Sequence, residues 1–211
     1  ISGPDGSTLD RTDFTETVDG GTYTYTATYA PTSDGNYATD LDTATDVAGN
    51  DGAGSESDSV TVDTTGPSFS SVTVKQDGGD DIVTTGDMVL VEADVTDTFN
   101  SVTGSSVTVD ASAIQQGATA VELTQDTGDT YNKKIEVRNP TASDGTVQLQ
   151  LSADDSDNNE GTRQDAATAV TLDTTGPSFA GVTVTDRDDD DTITSGDTVE
   201  VRATITDETS T

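Results

Sequence analysis

One stretch of ten residues occurs twice in this chain, and the two copies start 110 residues apart. Residues 60–69 read VTVDTTGPSF, and residues 170–179 read VTLDTTGPSF. Three short motifs, Val-Thr-Val, Gly-Asp and Thr-Asp, recur downstream at the same spacing, first at 72–74, 86–87 and 96–97, and then at 182–184, 196–197 and 206–207. A unit of this length is about the size of one domain, so the repetition predicts tandem copies of a single fold.

The repeat divides the chain into one complete unit and two halves. The complete repeat spans residues 67–175; residues 1–65 correspond to the second half of a unit, and residues 177–211 to the first half of another. The boundaries fall at Gly66-Pro67 and Gly176-Pro177. Glycine permits unusual backbone angles and proline ends a β-ladder, so both boundaries suit the passage of the chain from one domain to the next.

Apolar and polar residues alternate over short segments of the complete repeat, most clearly within 89–95 and 147–153. A period of two is typical of strands with one buried face, and no segment has the period of a helix. Short strands separated by Gly and Asp turns predict an all-β fold, of the sandwich type. The segments that we expect to be strands are 68–74, 82–84, 88–95, 106–109, 120–124, 131–137, 147–153 and 168–172.

The charge balance is extreme, with 41 acidic and 8 basic side chains and a formal net charge of −33. Such self-repulsion opposes compaction in dilute buffer, but at 1 M salt the Debye length falls to about 3 Å and the repulsion is largely screened. The composition therefore predicts adaptation to a hypersaline solvent. Nucleic acid is disfavoured as a partner, since its binding relies on Lys and Arg.

The rest of the composition further limits the class of protein to which this chain can belong. The chain contains no Cys, so neither disulfides nor thiolate metal sites support the fold. No apolar run approaches 18 residues, which argues against direct membrane insertion of this segment. The chain also contains no His, and no Gly-rich phosphate loop or Gly-x-Ser-x-Gly motif is present. We therefore expect a protein that is not an enzyme and has no catalytic residues.

The repeated motifs resemble those of immunoglobulin-like repeats in exported surface proteins of haloarchaea and bacteria. Asp63-Thr-Thr-Gly-Pro67, Val72-Thr-Val74, Gly86-Asp87, Thr96-Asp97 and the segment ATDVAGN at 44–50 carry the resemblance. The complete repeat departs from the pattern at 153–159, where it reads ADDSDNN. The resemblance implies tandem immunoglobulin-like β-sandwich domains in an extracellular stalk, S-layer or filament. The alternative is an adhesin or viral receptor-binding fibre whose binding tip lies outside this segment.

Acidic clusters are the candidate sites. Hard cations such as Ca²⁺ take six to eight oxygens from flexible, carboxylate-rich loops, and loops at a joint between repeats could supply them together. The alternative is a merely hydrated acidic loop, because Asp is abundant throughout. A second cluster, at 154–160, is open to the same two interpretations. The candidate Ca²⁺ ligands are Asp77, Asp80, Asp81, Asp97, Asp186, Asp188, Asp190 and Asp207.

Two further expectations concern binding surfaces. Tyr23, Tyr25 and Tyr29 alternate along one segment, either as an aromatic stripe for carbohydrate or as one-face packing in a strand. The two terminal half-repeats together make nearly one domain, lacking only counterparts of residues 102–108. The partners expected are therefore neighbouring repeats or further copies of the chain, in a head-to-tail, homo-oligomeric arrangement.

Overall fold

The structure is a computed structural model, and it describes residues 2–41, 43–52, 54–187 and 192–207. These residues form strands and two single-turn 3₁₀ helices, at Arg11–Asp13 and Gly104–Ser106, so the all-β class is confirmed. The strands are β1 (Thr15–Asp19), β2 (Thr22–Thr26), β3 (Gly35–Leu41), β4 (Glu56–Val62), β5 (Ser68–Gln76), β6 (Ile82–Val83), β7 (Met88–Thr96), β8 (Thr108–Asp110), β9 (Val121–Glu122), β10 (Thr124–Thr127), β11 (Thr130–Glu136), β12 (Gly145–Val147), β13 (Gln150–Ser152), β14 (Gln164–Asp165), β15 (Val170–Leu172), β16 (Ser178–Asp186) and β17 (Val199–Thr206).

Three sheets are formed by strands β5 to β15. The first has the order β10-β11-β7-β5, and the second has the order β14-β13-β8-β9. The third has the order β12-β15-β6, in which β6 lies parallel to β15. Several sheets of this kind are consistent with a β-sandwich, while the immunoglobulin-like tandem arrangement and the repeat boundaries stay predictions.

The core is made by the alternating segments that the sequence singled out. Val89 and Val91 are fully buried, and Ala93 and Val95 are each 1% exposed. The apolar residues of the second alternating segment, from Val147 to Ala153, are buried as well. Alternation therefore identified the buried face of these strands correctly.

The predicted strand 147–153 is two strands rather than one. Its first part, β12, pairs with β15, while its last part, β13, pairs with β8 in another sheet. Between them, the Leu149 carbonyl accepts a hydrogen bond from the Ala166 amide over 3.0 Å. The chain thus changes sheets at residues 148–149, and alternation alone does not reveal such a crossing.

Three hairpins, β1–β2, β3–β4 and β16–β17, lie outside strands β5 to β15. Their pairing repeats that of the complete unit. Tyr37 lies opposite Val60 in β3–β4, just as Val147 lies opposite Val170 in β12–β15. The sequence repeat is therefore also a repeat of local structure.

The chain divides into two compact units. The first comprises Ile1–Ser68, Val95–Ser106 and Ala153–Thr162. The second comprises Phe69–Asp94, Val107–Ser152 and Arg163–Thr211. Within the described part of the chain, no helix is long and apolar enough to cross a membrane.

Candidate cation centre

Three aspartates from distant parts of the sequence meet in the first compact unit. Asp63 follows β4, Asp97 follows β7, and Asp155 lies in the turn between β13 and β14. One carboxylate oxygen of each lies within 4.8 Å of those of the other two. We call these three residues the aspartate cluster.

Asp155 is the most deeply placed member, with 1% of its surface exposed. Its Oδ1 accepts hydrogen bonds from the backbone amides of Asp157 and Asn159, both at 2.8 Å, and its Oδ2 accepts one from Asn159 Nδ2 at 2.7 Å. Burial pushes the pKa of Asp155 upward, but hydrogen bonding with Asn159, the Asp157 amide and the Asp63 side chain outweighs burial, so the pKa lies below its usual value. Asp155 is therefore a fixed, ionised carboxylate.

Asp63 differs from Asp155 in its hydrogen bonds and in the direction of its pKa shift. Its Oδ1 accepts a hydrogen bond from the Thr65 amide at 3.1 Å, whereas its Oδ2 is buried and has no hydrogen-bond partner. Desolvation raises the pKa of Asp63, and the nearby charges of Asp97 and Asp155 raise it further. A buried carboxylate oxygen without a partner is costly, and a cation would satisfy it.

Asp97 completes the cluster from the end of β7. Its Oδ1 accepts hydrogen bonds from the amides of Phe99 and Asn100, at 3.0 and 2.9 Å, which fix the carboxylate on the first turn after the strand. Asp63 and Asp97 both line a depression, and the other residues at its wall are Thr65, Gly66, Ser68, Thr96, Thr98 and Phe99. Hydroxyl and backbone oxygens are therefore close to the carboxylates.

The linker that carries Asp63 packs directly on the turn that carries Asp155. Asn159 Nδ2 donates a hydrogen bond to the Asp63 carbonyl at 3.3 Å. A Cβ atom on Gly66 would lie 2.4 Å from backbone atoms of Glu160 and Gly161, so only glycine fits at this position. The Thr-Thr-Gly-Pro linker is thus held against the turn at residues 155–161, which we call the late turn.

The donor set suits a hard cation. Ca²⁺ accepts flexible arrangements of carboxylates, carbonyls, hydroxyls and waters, and it coordinates six to eight oxygens at about 2.3–2.6 Å. Three carboxylates would supply the charged ligands, and Asp63 Oδ2, which has no hydrogen-bond partner, would be one of the coordinating oxygens. A bound divalent ion would also remove the repulsion among the three carboxylates.

We call the linkers at residues 63–67 and 173–177 the first and second junctions, and the second repeats hydrogen bonds of the first. Thr64 donates from its amide and hydroxyl to Asp34 Oδ1, at 2.9 and 2.7 Å, and Thr174 does the same to Asp144 Oδ1, at 3.0 and 2.6 Å. The counterparts of Asp63 and Asp97 are Asp173 and Asp207, and these two residues line a depression of their own. Two of the three cluster positions are thus present at the second junction as well.

The late turn is also repeated, despite its altered sequence. Asp46 Oδ1 accepts from the amides of Ala48 and Asn50, both at 2.9 Å, and Asp46 Oδ2 accepts from Asn50 Nδ2 at 3.0 Å. This is the pattern of Asp155 and Asn159. The departure that the sequence shows at 153–159 therefore leaves the Asp and Asn positions of the turn unchanged.

Comparison with protein families and with curated proteins gives no match for this chain. No family model matches the chain. A search of curated proteins finds no significant match either. Function is therefore inferred from the chain's own residues and repeats.

The structure places the predicted ligands in different surroundings. Asp97 lies in the aspartate cluster. Asp77 forms an ion pair of 2.6 Å with Lys134 Nζ, and Asp80 and Asp81 accept hydrogen bonds from backbone amides in their own loop, at Ile82 and Gln76. Asp186 and Asp207 lie at the ends of β16 and β17, whereas Asp188 and Asp190 lie outside the described residues. Calcium binding at these other positions stays a prediction.

Two members of the cluster were not among the predicted ligands, although both stood in segments that the sequence made conspicuous. Asp63 begins the repeated Asp-Thr-Thr-Gly-Pro motif, and Asp155 lies in the second acidic cluster. What the sequence does not reveal is that residues so far apart along the chain meet. The Asp…Asn spacing shared by Asp46 and Asp155 is the signal that could have singled out the late turn.

The tyrosines do not form one stripe, so the prediction of a single strand is wrong. Tyr23 and Tyr25 lie in β2 and are 62% and 50% exposed, but β2 ends at Thr26, before Tyr29. Tyr29 donates a hydrogen bond to Ser7 Oγ at 2.6 Å and lies 5.9 Å from the ring centre of Tyr37. The cause is the polar contact of Tyr29 with residues near the N-terminus, which takes it out of the strand.

Proposed function

We propose that this chain is a non-enzymatic structural repeat region of an extracellular, salt-adapted surface protein, as part of a stalk, S-layer or filament. Its repeats would be immunoglobulin-like β-sandwich domains in tandem. The observation that carries the proposal is the duplicated junction, in which the same Asp and Thr residues make the same hydrogen bonds 110 residues apart. A joint reproduced in this way suits a protein whose task is to set distance and direction.

The aspartate cluster gives this joint a mechanism. We propose that Asp63, Asp97 and Asp155 bind Ca²⁺, which would couple the linker to the late turn of the following repeat. Asp63 belongs to the linker, whereas Asp97 and Asp155 belong to the complete repeat, so one ion would hold both. Removing the ion would leave three carboxylates in mutual repulsion and loosen the joint.

The acidic surface supports the extracellular, hypersaline setting. A net charge of −33 keeps such a protein soluble in brine, and a chain without cysteine needs no oxidising machinery to fold. Neither feature distinguishes a lattice from a projecting fibre. A lattice and a projecting fibre can be distinguished by locating the protein on its source cell or particle.

Immunogold electron microscopy of the source cells or particles, in their own brine, tests the proposal. Antibodies against residues 67–175 should decorate the outer surface, as a continuous lattice or along projecting filaments. Label confined to the interior would contradict an extracellular role. Label only on isolated spikes that end in a distinct head would favour the adhesin or fibre alternative over a lattice.

A further inference from the structure

The late turn differs in sequence from the corresponding turn earlier in the chain. Residues 44–50 read ATDVAGN, and residues 153–159 read ADDSDNN. When the two segments are aligned on their shared Asp and Asn, Ser156 and Asp157 stand where the earlier turn has Val and Ala. Two polar side chains therefore replace two apolar ones, directly after Asp155 of the aspartate cluster.

The backbone of the two turns is the same, so the replacement acts through the side chains. Asp46 and Asp155 each accept hydrogen bonds at Oδ1 from the amides two and four residues further along the chain. The position before the shared Asn is left-handed in both turns, with φ of 87° at Gly49 and 67° at Asn158. The turn itself can thus form without polar residues at its second and third positions.

Both polar side chains bind one residue of the segment between β7 and β8, which we call the β7–β8 loop (residues 97–107). Asn100 Nδ2 donates a hydrogen bond to Asp157 Oδ2 at 2.7 Å. Ser156 Oγ donates a hydrogen bond to Asn100 Oδ1 at 2.6 Å. The side-chain amide of Asn100 is therefore held at its nitrogen and at its oxygen. We call Asn100, Ser156 and Asp157 the polar clamp.

The polar clamp is connected to two carboxylates of the aspartate cluster. The Asn100 amide donates a hydrogen bond to Asp97 Oδ1 at 2.9 Å. The Asp157 amide donates a hydrogen bond to Asp155 Oδ1 at 2.8 Å. Three hydrogen bonds in series thus link Asp97 to Asp155, and the middle one is the bond between the Asn100 and Asp157 side chains.

Backbone contacts join the β7–β8 loop to the late turn independently of the polar clamp. The Ser156 amide donates a hydrogen bond to the Ser101 carbonyl at 3.0 Å. The Thr103 amide donates to the Asp154 carbonyl at 3.0 Å, and the Thr103 hydroxyl donates to the Asp155 carbonyl at 2.8 Å. None of these bonds uses a clamp side chain, so the two segments should stay paired when the clamp is removed. The clamp then acts on the placement of the carboxylates.

Placement of the carboxylates matters because like charges within a few ångströms repel one another. One oxygen of Asp97 and one of Asp155 lie within 4.8 Å of each other in the aspartate cluster. Hydrogen-bonded groups outside the ligands hold such ligands in place before the ion arrives, and losing one of these groups typically lowers metal affinity by about 10–100-fold. The polar clamp stands in that relation to both carboxylates.

We propose that the polar clamp sets the Ca²⁺ affinity of this junction by holding Asp97 and Asp155 in their binding positions. The inference rests on the proposed cation function of the aspartate cluster. The three clamp residues are positioning residues, because they act through the ligands that they hold. A repeat whose late turn reads like residues 44–50 lacks the clamp side chains and would release Ca²⁺ at a higher concentration of free ion.

The chain itself supplies the variant that removes the clamp. Ser156→Val with Asp157→Ala gives the late turn the two residues of the earlier turn. In isothermal titration with Ca²⁺ at constant molar NaCl, this variant should bind the same number of ions as wild type, with an affinity about tenfold lower at the aspartate cluster. Asn100→Ala should have the same effect. The control Asn132→Ala, on β11, should bind Ca²⁺ as wild type does.

The rate of Ca²⁺ release separates positioning from a general loss of stability. Stopped-flow mixing with a fluorescent chelator should show faster release from Asn100→Ala, by about the factor by which its affinity falls, because affinity differences among related variants lie mostly in the dissociation rate. Thermal unfolding in chelator checks that the variant is folded. A lower unfolding temperature with unchanged affinity and release rate would mean a merely structural contact and would overturn the proposal.

An exchange of the two clamp residues separates hydrogen bonding from charge. Asn100→Asp alone places a second carboxylate against Asp157 and should weaken Ca²⁺ binding. Asn100→Asp together with Asp157→Asn restores one donor and one acceptor with their roles reversed, and its net charge equals that of wild type. The double variant should recover most of the affinity that Asn100→Asp loses. Equal losses in both variants would overturn the proposal, because the bond between the two side chains would then not set the affinity.

The clamp and the cation function can fail separately. If Asp63→Asn leaves the bound Ca²⁺ unchanged, the aspartate cluster does not bind the ion and both proposals are overturned. If Asp63→Asn removes an ion, but Ser156→Val with Asp157→Ala binds and releases Ca²⁺ as wild type does, the clamp proposal alone is overturned. Loss of the ion in Asp63→Asn and weaker binding in the clamp variants would support both.

Discussion

At the scale of the residue, the three carboxylates of the cluster are not equivalent. Asp155 is held ionised by three hydrogen bonds, while Asp63 has one buried oxygen with no partner. The electrostatic cost of an empty cluster therefore falls mainly on Asp63. Neutralising that single residue should relieve the strain that a cation would otherwise relieve.

The variant Asp63→Asn should show this relief as a change in pH dependence. The pKa of Asp63 is raised in the folded state, so its ionisation destabilises the fold as pH rises through that pKa. At pH 7 with chelator, in constant molar NaCl, we expect the variant to unfold a few degrees above wild type. As the pH falls toward the ordinary Asp value of 3.8, wild type should approach the variant.

The measurement is thermal unfolding followed by circular dichroism at several pH values. Asp58→Asn is the matched control, because Asp58 is an exposed aspartate of β4, five residues from Asp63. The control should unfold like wild type at every pH. If the difference between wild type and Asp63→Asn did not depend on pH, the raised pKa of Asp63 would be refuted.

One member of the aspartate cluster could be predicted from the sequence, and the other two could not, for a physical reason. Asp97 stood out because Thr-Asp closes a strand in both repeats. Asp63 and Asp155 stood in conspicuous segments, but in a chain with 41 acidic residues an acidic side chain by itself carries little information about a site. Only the packing of the linker on the late turn reveals that these carboxylates meet.

At the scale of the element, the strands with clear alternation were predicted closely. Residues 68–74 and 88–95 became β5 and β7 with ends shifted by at most two residues. The predicted strand 120–124 became β9 and the start of β10, and β14 was not predicted. Short edge strands and changes of sheet are set by tertiary pairing, which a local pattern does not contain.

The linker glycines make a sharp prediction at this scale. Gly66→Ala places a Cβ 2.4 Å from the backbone of Glu160 and Gly161, so the linker and the late turn must separate. We expect a loss of about 1–3 kcal/mol in the free energy of unfolding, together with weaker Ca²⁺ binding. Gly176→Ala, which meets nothing within 4 Å, should change the free energy of unfolding of a single copy by less than about 0.5 kcal/mol.

Chemical denaturation of both variants is the measurement. The pair is closely matched, because both glycines stand in the same Thr-Thr-Gly-Pro motif. Equal losses in the two variants would mean that the linker has no specific contact with the late turn. Such a result would remove the structural basis for bringing Asp63 to Asp155.

At the scale of the whole molecule, charge decides when the fold is stable. With 41 acidic and 8 basic side chains, the described residues form few ion pairs, among them Lys134 with Asp77 and Arg202 with Glu200. The negative charge must be balanced by solvent cations. Stability is then a property of the protein together with its salt.

Lowering the salt should therefore unfold the chain. We expect the unfolding temperature to fall steeply below about 1 M NaCl, where the Debye length grows from about 3 Å to about 10 Å at 0.1 M. Circular dichroism melts across a NaCl series measure this directly. Sucrose at matched osmolality is the control, because it is excluded from the surface but screens no charge. An unfolding temperature that is independent of NaCl would contradict adaptation to hypersaline solvent.

The central claim is that the aspartate cluster is a calcium centre that joins one repeat to the next. Equilibrium dialysis with Ca²⁺ in constant molar NaCl tests it most directly. We predict that Asp63→Asn removes one bound Ca²⁺ per chain, and that Asp173→Asn removes none. If Asp63→Asn left the bound Ca²⁺ unchanged, the cluster would not be a calcium centre.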